Sequence, residues 1–166
     1  MPVRPATAGD SDAIAAVHGR AWFHAYDDFL PYDQLTKYDQ DERRDWWAQV
    51  LRGEHDSHVL VSTTGDDVVR AFAAYGAARD EDRPGEGELY AMYVDPAAQG
   101  AGLGTALLDA VTARMRADGY ERAILWVYEQ NGHGRAFYAS RGWEPDGTSR
   151  LLEDWGSPGV RYGTAL

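Results

Sequence analysis

A glycine-rich turn between a predicted strand and a predicted helix constrains the fold of this chain more than any other feature. The turn spans Gln99–Gly104 and follows a predicted strand, Glu88–Val94, that ends at Asp95-Pro96. Apolar residues then recur every four positions, which predicts an amphipathic helix over Leu103–Asp118. A strand followed by a turn and a helix predicts a crossover connection, so we expect a parallel strand pair.

The remaining elements predict a mixed α/β fold in one domain, residues 1–166, a length that buries about two-thirds of the unfolded surface. A second crossover late in the chain favours a parallel pair inside a mixed sheet. The further predicted elements are a helix that begins after Thr7–Asp10, a helix over Asp39–Arg52 with Trp46 and Trp47 in its apolar stripe, a hairpin of His58–Ser62 and Val68–Ala77, a strand over Arg122–Tyr128, a helix over Asn131–Arg141, and one or two strands in Trp143–Leu166.

The composition excludes several kinds of site. The chain has no cysteine, which excludes disulfides, thiolate metal ligands and a cysteine nucleophile, and the spacing of His55 and His58 has no further ligands to suggest a metal site. Its 27 acidic and 16 basic side chains give a net charge of −11, which argues against nucleic acid as a partner. No apolar run is long enough to span a membrane and the N-terminal residues lack a secretory h-region, so we expect a cytoplasmic protein.

The glycine-rich turn lies where a phosphate group binds in many α/β proteins. Glycines let the backbone approach a ligand, and the free N–H groups of a helix N-terminus attract an anion. A dinucleotide fingerprint fits poorly, because Thr105 stands near the place of its third glycine, and a P-loop would require a lysine. A tight turn without a ligand stays open as the alternative.

Two sequence motifs then resemble the GNAT N-acetyltransferase superfamily. The first is Tyr93-Val94-Asp95-Pro96 followed by the glycine-rich turn and Thr105-Ala106-Leu107-Leu108, which is similar to the acetyl-coenzyme A motif of that family. The second is a strand ending near Val127, then Asn131, then Phe137-Tyr138 and Gly142-Trp143, with Trp143 where phenylalanine is usual. The stretch Trp22–Pro31 resembles a subgroup whose acceptor is unassigned.

The resemblance implies a mostly antiparallel sheet with a splayed parallel pair, flanked by about four helices, and acetyl-CoA as the acetyl donor bound between the splayed strands. Backbone groups of Met92, Tyr93 and Val94 would pair with the pantetheine arm, and Asn131 would hydrogen-bond the cofactor chain. Direct transfer to an amine would follow, without a covalent enzyme intermediate. The residues implied to hold the pyrophosphate are Gln99, Gly100, Ala101, Gly102, Leu103, Gly104 and Thr105.

The chemistry of amine acetylation asks for a base and an acid. An amine with a pKa of about 10.4 is neutral in only about one molecule in two thousand at pH 7, so a carboxylate must help to remove a proton. Glu88 is the first candidate, because alternation places it on one strand face with Tyr90 and Met92. Glu129 and His24 follow as second and third candidates. By the resemblance, Tyr138 would donate a proton or a hydrogen bond to the departing thiolate, whereas a core aromatic packed beside Phe137 is the alternative for this residue.

The acceptor itself is left open by the sequence. Trp22, His24 and Tyr26 are predicted to line its pocket, although an aromatic stretch that only packs on the sheet is the alternative. The acidic balance favours a small cationic amine over a protein N-terminus or lysine. A non-catalytic acyl-CoA sensor and a module for another nucleotide are rival functions. The resemblance allows a homodimer, and Arg135 is a further candidate for the nucleotide phosphates.

Overall fold

The computed structural model describes residues 2–152 and 157–166. In these residues, seven strands form one sheet with helices on both of its faces. A 3-10 turn at Ala8–Asp10 precedes the first helix, and another at Pro96–Ala98 precedes the glycine-rich turn. The strands are β1 (Val3–Pro5), β2 (His58–Thr63), β3 (Val69–Ala77), β4 (Gly87–Val94), β5 (Arg122–Tyr128), β6 (Glu144–Leu151) and β7 (Pro158–Ala165). The helices are α1 (Ser11–Tyr26), α2 (Tyr32–Leu35), α3 (Gln40–Leu51), α4 (Leu103–Ala117) and α5 (Gly132–Ala139).

The sheet has the order β1-β2-β3-β4-β5-β7-β6, and among the described strands only β4 and β5 run parallel to each other as neighbours. This pair is short, because it joins only Gly87–Leu89 to Ala123–Leu125 before the strands separate. The predicted splayed pair is therefore confirmed. The second crossover does not create another parallel neighbour, since β7 inserts between β5 and β6 and is antiparallel to both.

Two apolar layers enclose the sheet. On one face, the predicted stripe of α4 is buried against the sheet and packs beside Trp143. On the other face, α1 and α3 pack on β2 and β3, where Trp47 contacts the ring of Phe72. Asp39 caps α3 by accepting a hydrogen bond from the backbone N–H of Glu42 at 2.8 Å, which explains why the helix begins there.

Several predictions about the elements need correction. The strand β1 and the single-turn helix α2 carry no periodic pattern and were not predicted, and α1 continues through Tyr26. The last helix is shorter than expected, because Asn131 lies before it as the N-cap. Trp46 belongs to no buried stripe, since it is 49% exposed and lies against His55 with ring centroids 4.3 Å apart.

The predicted alternation along β4 is also wrong. The register against β3 shifts, with Ala91 opposite Ala74 but Leu89 opposite Tyr75, so Tyr90 is an extra residue in a β-bulge. Tyr90 and Ala91 consequently pack on the α1 face, while Met92 packs on the α4 face. A strict alternation along the strand would place Glu88, Tyr90 and Met92 on one face. Because of the bulge, the three residues do not share a face.

Candidate active site

A cleft of about 1030 Å³ opens where β4 and β5 separate. Its floor is formed by both strands, and its two ends are formed by the glycine-rich turn and by α1. Most of the predicted cofactor residues line it, whereas Ala101 is exposed and does not. The lining residues that were predicted for the cofactor are Met92, Tyr93, Val94, Gln99, Gly100, Gly102, Leu103, Gly104, Thr105 and Asn131.

The glycine-rich turn has the conformation that a phosphate cradle needs. Gly100 and Gly102 have φ angles of 81° and 80°, a region that disfavours other residues. An added Cβ at either position would meet no atom within 4 Å, so the space over both peptides is open to a ligand. Leu103 starts α4 directly after Gly102, which aims the free N–H groups of the first helical turn at that space.

The buried carboxylate of Asp95 fixes the backbone between the end of β4 and the glycine-rich turn. Asp95 is only 2% exposed, and its Oδ2 accepts a hydrogen bond from Arg20 of α1 at 2.6 Å. Its Oδ1 accepts one from the backbone N–H of Ala97 at 3.1 Å, and Arg70 lies 3.6 Å away. These contacts hold the pKa of Asp95 below its usual range, first through the Arg20 hydrogen bond. The end of β4 is thereby tied to α1.

The helix α5 brings Asn131 and Tyr138 to the opposite wall of the cleft. Asn131 uses its Oδ1 to accept from the backbone N–H of Gly134 at 3.0 Å, so it also caps α5. Phe137 lies against the glycine turn, 3.5 Å from the position of a Cβ on Gly104. Tyr138 is half-buried, lines the cleft and contacts the ring of Trp143.

Tyrosine hydroxyls collect in the middle of the cleft. The hydroxyl oxygens of Tyr26 and Tyr93 are 3.3 Å apart, and the ring of Tyr128 lies 4.9 Å from that of Tyr26. Burial raises the pKa of Tyr26, Tyr93 and Tyr138 above the usual value for tyrosine. These three hydroxyls therefore stay protonated at neutral pH and are available as hydrogen-bond donors.

Glu88 lies at the start of β4, is 3% exposed and lines the cleft. Both of its carboxylate oxygens accept hydrogen bonds from Arg79, Oε1 from the backbone N–H at 3.1 Å and Oε2 from Nη2 at 3.2 Å. The carboxylate thus anchors the loop before β4, and Glu88 contributes to the cleft lining beside Arg79. The other two candidates for the base, Glu129 and His24, are exposed and do not line the cleft.

Of the three α1 residues predicted to line the acceptor pocket, two line the cleft and one is exposed to solvent. Trp22 and Tyr26 are one helical turn apart, line the cleft and are buried. His24 lies half a turn away and is exposed, so the structure does not bring it to the acceptor pocket. The whole stretch Trp22–Tyr26 belongs to α1, which ends at Tyr26.

Three arginines that the sequence reasoning did not single out line the cleft. Arg141 lies at the turn, where it donates to the Thr105 hydroxyl and its guanidinium lies 3.9 Å over the ring of Phe137. Arg79 and Arg150 lie at the other end. Arg135 does not reach the cleft lining, because it donates to the hydroxyl of Tyr162 at 3.1 Å and to the carbonyl of Glu129.

A strand pair that splays around a cleft, with an anion-binding turn at one end and protonated tyrosines in the middle, defines an acyltransferase of the kind that holds a coenzyme A thioester. Residues 19–143 match the acetyltransferase (GNAT) family. The chain belongs to this family, so it is an acyltransferase, and its co-substrate is acetyl-CoA.

Individual relatives agree with that assignment. The chain is 34% identical over 132 residues to an uncharacterized N-acetyltransferase, YuaI, of Bacillus subtilis (strain 168), covering 79% of this chain and 73% of that protein. It is 31% identical over 140 residues to mycothiol acetyltransferase of Amycolatopsis mediterranei, covering 80% of this chain but 42% of that protein. The structure of the acetyltransferase yncA from Salmonella typhimurium with acetyl-CoA superposes with a TM-score of 0.72 and 25% identity, covering 100% and 94% of the two chains.

Residues 2–152 and 157–166 contain neither a membrane-spanning helix nor a group of side chains placed to bind a metal ion. No helix there is long and apolar enough to cross a membrane. Within the same residues, no group of three or more histidine or acidic side chains is placed to hold a metal ion.

Proposed function

We propose that this protein transfers an acetyl group directly from acetyl-CoA to a primary amine of a small molecule. The observation that carries the proposal is that the glycine-rich turn and the α5 segment with Asn131 and Tyr138 are separate in the chain and line one cleft. The turn would hold the pyrophosphate, the open edge of β4 at Met92–Val94 would pair with the pantetheine arm, and Asn131 would bond the same chain.

The amine proton and the departing thiolate fall to residues on opposite walls of the cleft. Glu88 is the proposed base and would receive the amine proton directly or through water. Tyr138 is the proposed partner of the departing thiolate: burial raises its pKa, so its hydroxyl stays protonated at neutral pH and can donate a hydrogen bond to the sulfur. Tyr138 lines the cleft and is not fully buried in the core, and this position favours catalysis over a non-catalytic sensor.

A small acceptor is favoured by the shape of the site. Trp22, Tyr26 and Tyr128 lie close together at the α1 end of the cleft and restrict its width, with ring centroids 4.7 to 6.5 Å apart. A lysine side chain or a protein N-terminus would have to enter past these rings together with its flanking backbone.

The first test needs no knowledge of the acceptor. Thermal unfolding is measured with acetyl-CoA, ATP and NAD, each at about 100 times its expected Kd, where a specific ligand stabilises by about 2.7 kcal/mol. We expect a shift of several degrees with acetyl-CoA alone, followed by release of free coenzyme A when an amine panel is added. Equal shifts with NAD or ATP would refute the cofactor assignment, and binding without turnover on any amine would favour the sensor.

A further inference from the structure

Charges that face the acceptor end of the cleft have the opposite sign to the protein as a whole. The net charge is −11, yet among the described residues that line this end, the exposed charged groups are the guanidinium groups of Arg79 and Arg150, whose side chains are 67% and 52% exposed. Their carboxylate partners, Glu88 and Asp80, are 4% and 6% exposed and lie behind them. A molecule that enters this end of the cleft therefore meets cations first.

Both guanidinium groups lie over aromatic rings. Arg79 lies 3.9 Å over the ring of Tyr90, and Arg150 lies 4.0 Å over the ring of Trp126. The same Trp126 donates its Nε1–H to Asp80 at 3.0 Å, and Asp80 accepts from Arg150 at 3.3 Å. A stacked guanidinium keeps its N–H groups directed outward in its own plane, which is the geometry that a planar carboxylate accepts.

We propose that the acceptor is an amino acid with an apolar side chain, whose own carboxylate binds to Arg79 and Arg150. This inference rests on the proposed function, in which Glu88 takes the amine proton. The Nη2 of Arg79 is 3.2 Å from Oε2 of Glu88, so a group that binds an anion stands directly beside the group that receives the amine. An α-amino acid carries its amine and carboxylate one carbon apart and matches that spacing.

The charge balance and the lining support a carboxylate over a phosphate. Each guanidinium already neutralises one carboxylate of the protein, so a singly charged anion fits better than a doubly charged one. The buried rings of Trp22, Tyr26 and Tyr128 supply an apolar surface for the side chain. This reverses the expectation from the composition, which favoured a cationic acceptor.

The test compares acceptors that differ only in the carboxylate. Acetylation is measured for phenylalanine against phenethylamine, leucine against isoamylamine, and methionine against 3-(methylthio)propylamine. We expect kcat/KM to be at least tenfold higher for the amino acid in at least one pair. Wild-type protein whose stability does not respond to acetyl-CoA would instead refute the proposed function, and this inference with it.

Arg150→Gln is the decisive variant, because Asp80 keeps its bonds to Arg161 and Trp126 when Arg150 is replaced. We expect a rise of about tenfold in KM for the amino acid, with little change in KM for acetyl-CoA or in activity on the matched amine. Arg150→Lys should recover part of the loss. Arg116→Gln, on the exposed side of α4, is the control and should behave as wild type.

Three results would overturn the assignment while acetyl-CoA still binds. The first is equal activity on both members of every pair, and the second is an unchanged preference in Arg150→Gln. The third is that no amino acid of the set is acetylated or adds to the thermal stabilisation by coenzyme A.

Discussion

At the scale of single residues, burial sets the protonation of two groups, one on the cleft wall and one on α1 outside the cleft lining. Tyr138 and His18 show this in opposite ways. Burial disfavours the charged form of each, so the tyrosine is kept as a hydrogen-bond donor and the histidine is kept neutral. The protonated hydroxyl of Tyr138 bears on turnover, and the neutral imidazole of His18 bears on the stability of the fold.

Replacement of Tyr138 by phenylalanine should lower kcat by about 100-fold, because the hydroxyl that would donate a hydrogen bond to the thiolate is lost. The KM for acetyl-CoA should change little, since the ring still packs beside Trp143. Steady-state kinetics at saturating amine would measure both parameters. The control is Tyr32→Phe, a tyrosine that is 75% exposed outside the cleft. A Tyr138→Phe enzyme with normal kcat would remove this role.

His18 should make the fold less stable as the pH falls. Its Nδ1 accepts from Trp47 Nε1 at 3.1 Å, and burial lowers its pKa from 6.5 to about 3. Below pH 6.5 the unfolded chain takes up a proton that the folded chain does not, so stability is lost on the way down to pH 3. Between pH 7 and pH 5 this amounts to about 2 kcal/mol.

Urea unfolding at pH 7 and pH 5 would measure that loss. His18→Gln, which can still accept the bond from Trp47, should show a smaller loss between the two pH values than wild type. His24→Gln replaces an exposed histidine of the same helix and should retain the wild-type loss. If His18→Gln keeps the full pH dependence, the buried histidine is not its source.

At the scale of elements, the glycine-rich turn makes a prediction that separates ligand binding from backbone strain. Gly102→Glu should abolish stabilisation by acetyl-CoA, because bulk and negative charge would occupy the space over the turn. Gly53→Glu is a matched control at the end of α3, with the same φ of 80° and the same open surroundings. Each change should cost about 1 kcal/mol in strain.

Thermal unfolding with and without acetyl-CoA would compare these two variants. Gly53→Glu should keep the wild-type shift on adding the ligand, and Gly102→Glu should show none. A normal shift in Gly102→Glu would mean that the pyrophosphate binds elsewhere.

The elements also show which features a sequence can predict. The turn Gln99–Gly104 and the stripe of α4 were predicted because their signals are local and periodic. The bulge at Tyr90 was not, since it arises from the register against β3 and not from any residue of β4. Asn131 was predicted for the cofactor from its neighbours, but its capping of α5 is visible only in the structure.

At the scale of the whole molecule, the net negative charge of the protein did not predict the sign of the exposed charges at the acceptor end of the cleft. Most of the described arginines are paired with acidic side chains, and Arg79 and Arg150 are among them. These two residues are 71 positions apart in the chain and come to one cleft only through the fold. Nothing in the sequence around either residue marks it as part of one cleft. The cationic end of the site could therefore be recognised only once the strands were in place.

The short β4–β5 pairing has a consequence for how the protein is made. The strands β1–β4 come first in the chain and are joined only by antiparallel pairs, so we expect them to assemble before β5 leaves the ribosome. During that interval β4 is an open sheet edge, which can pair with another nascent chain. After synthesis only three residue pairs cover it, and the rest of the edge stays free for the acyl donor. The edge proposed to pair with the acyl donor is thus also an edge that is open to misassembly during synthesis.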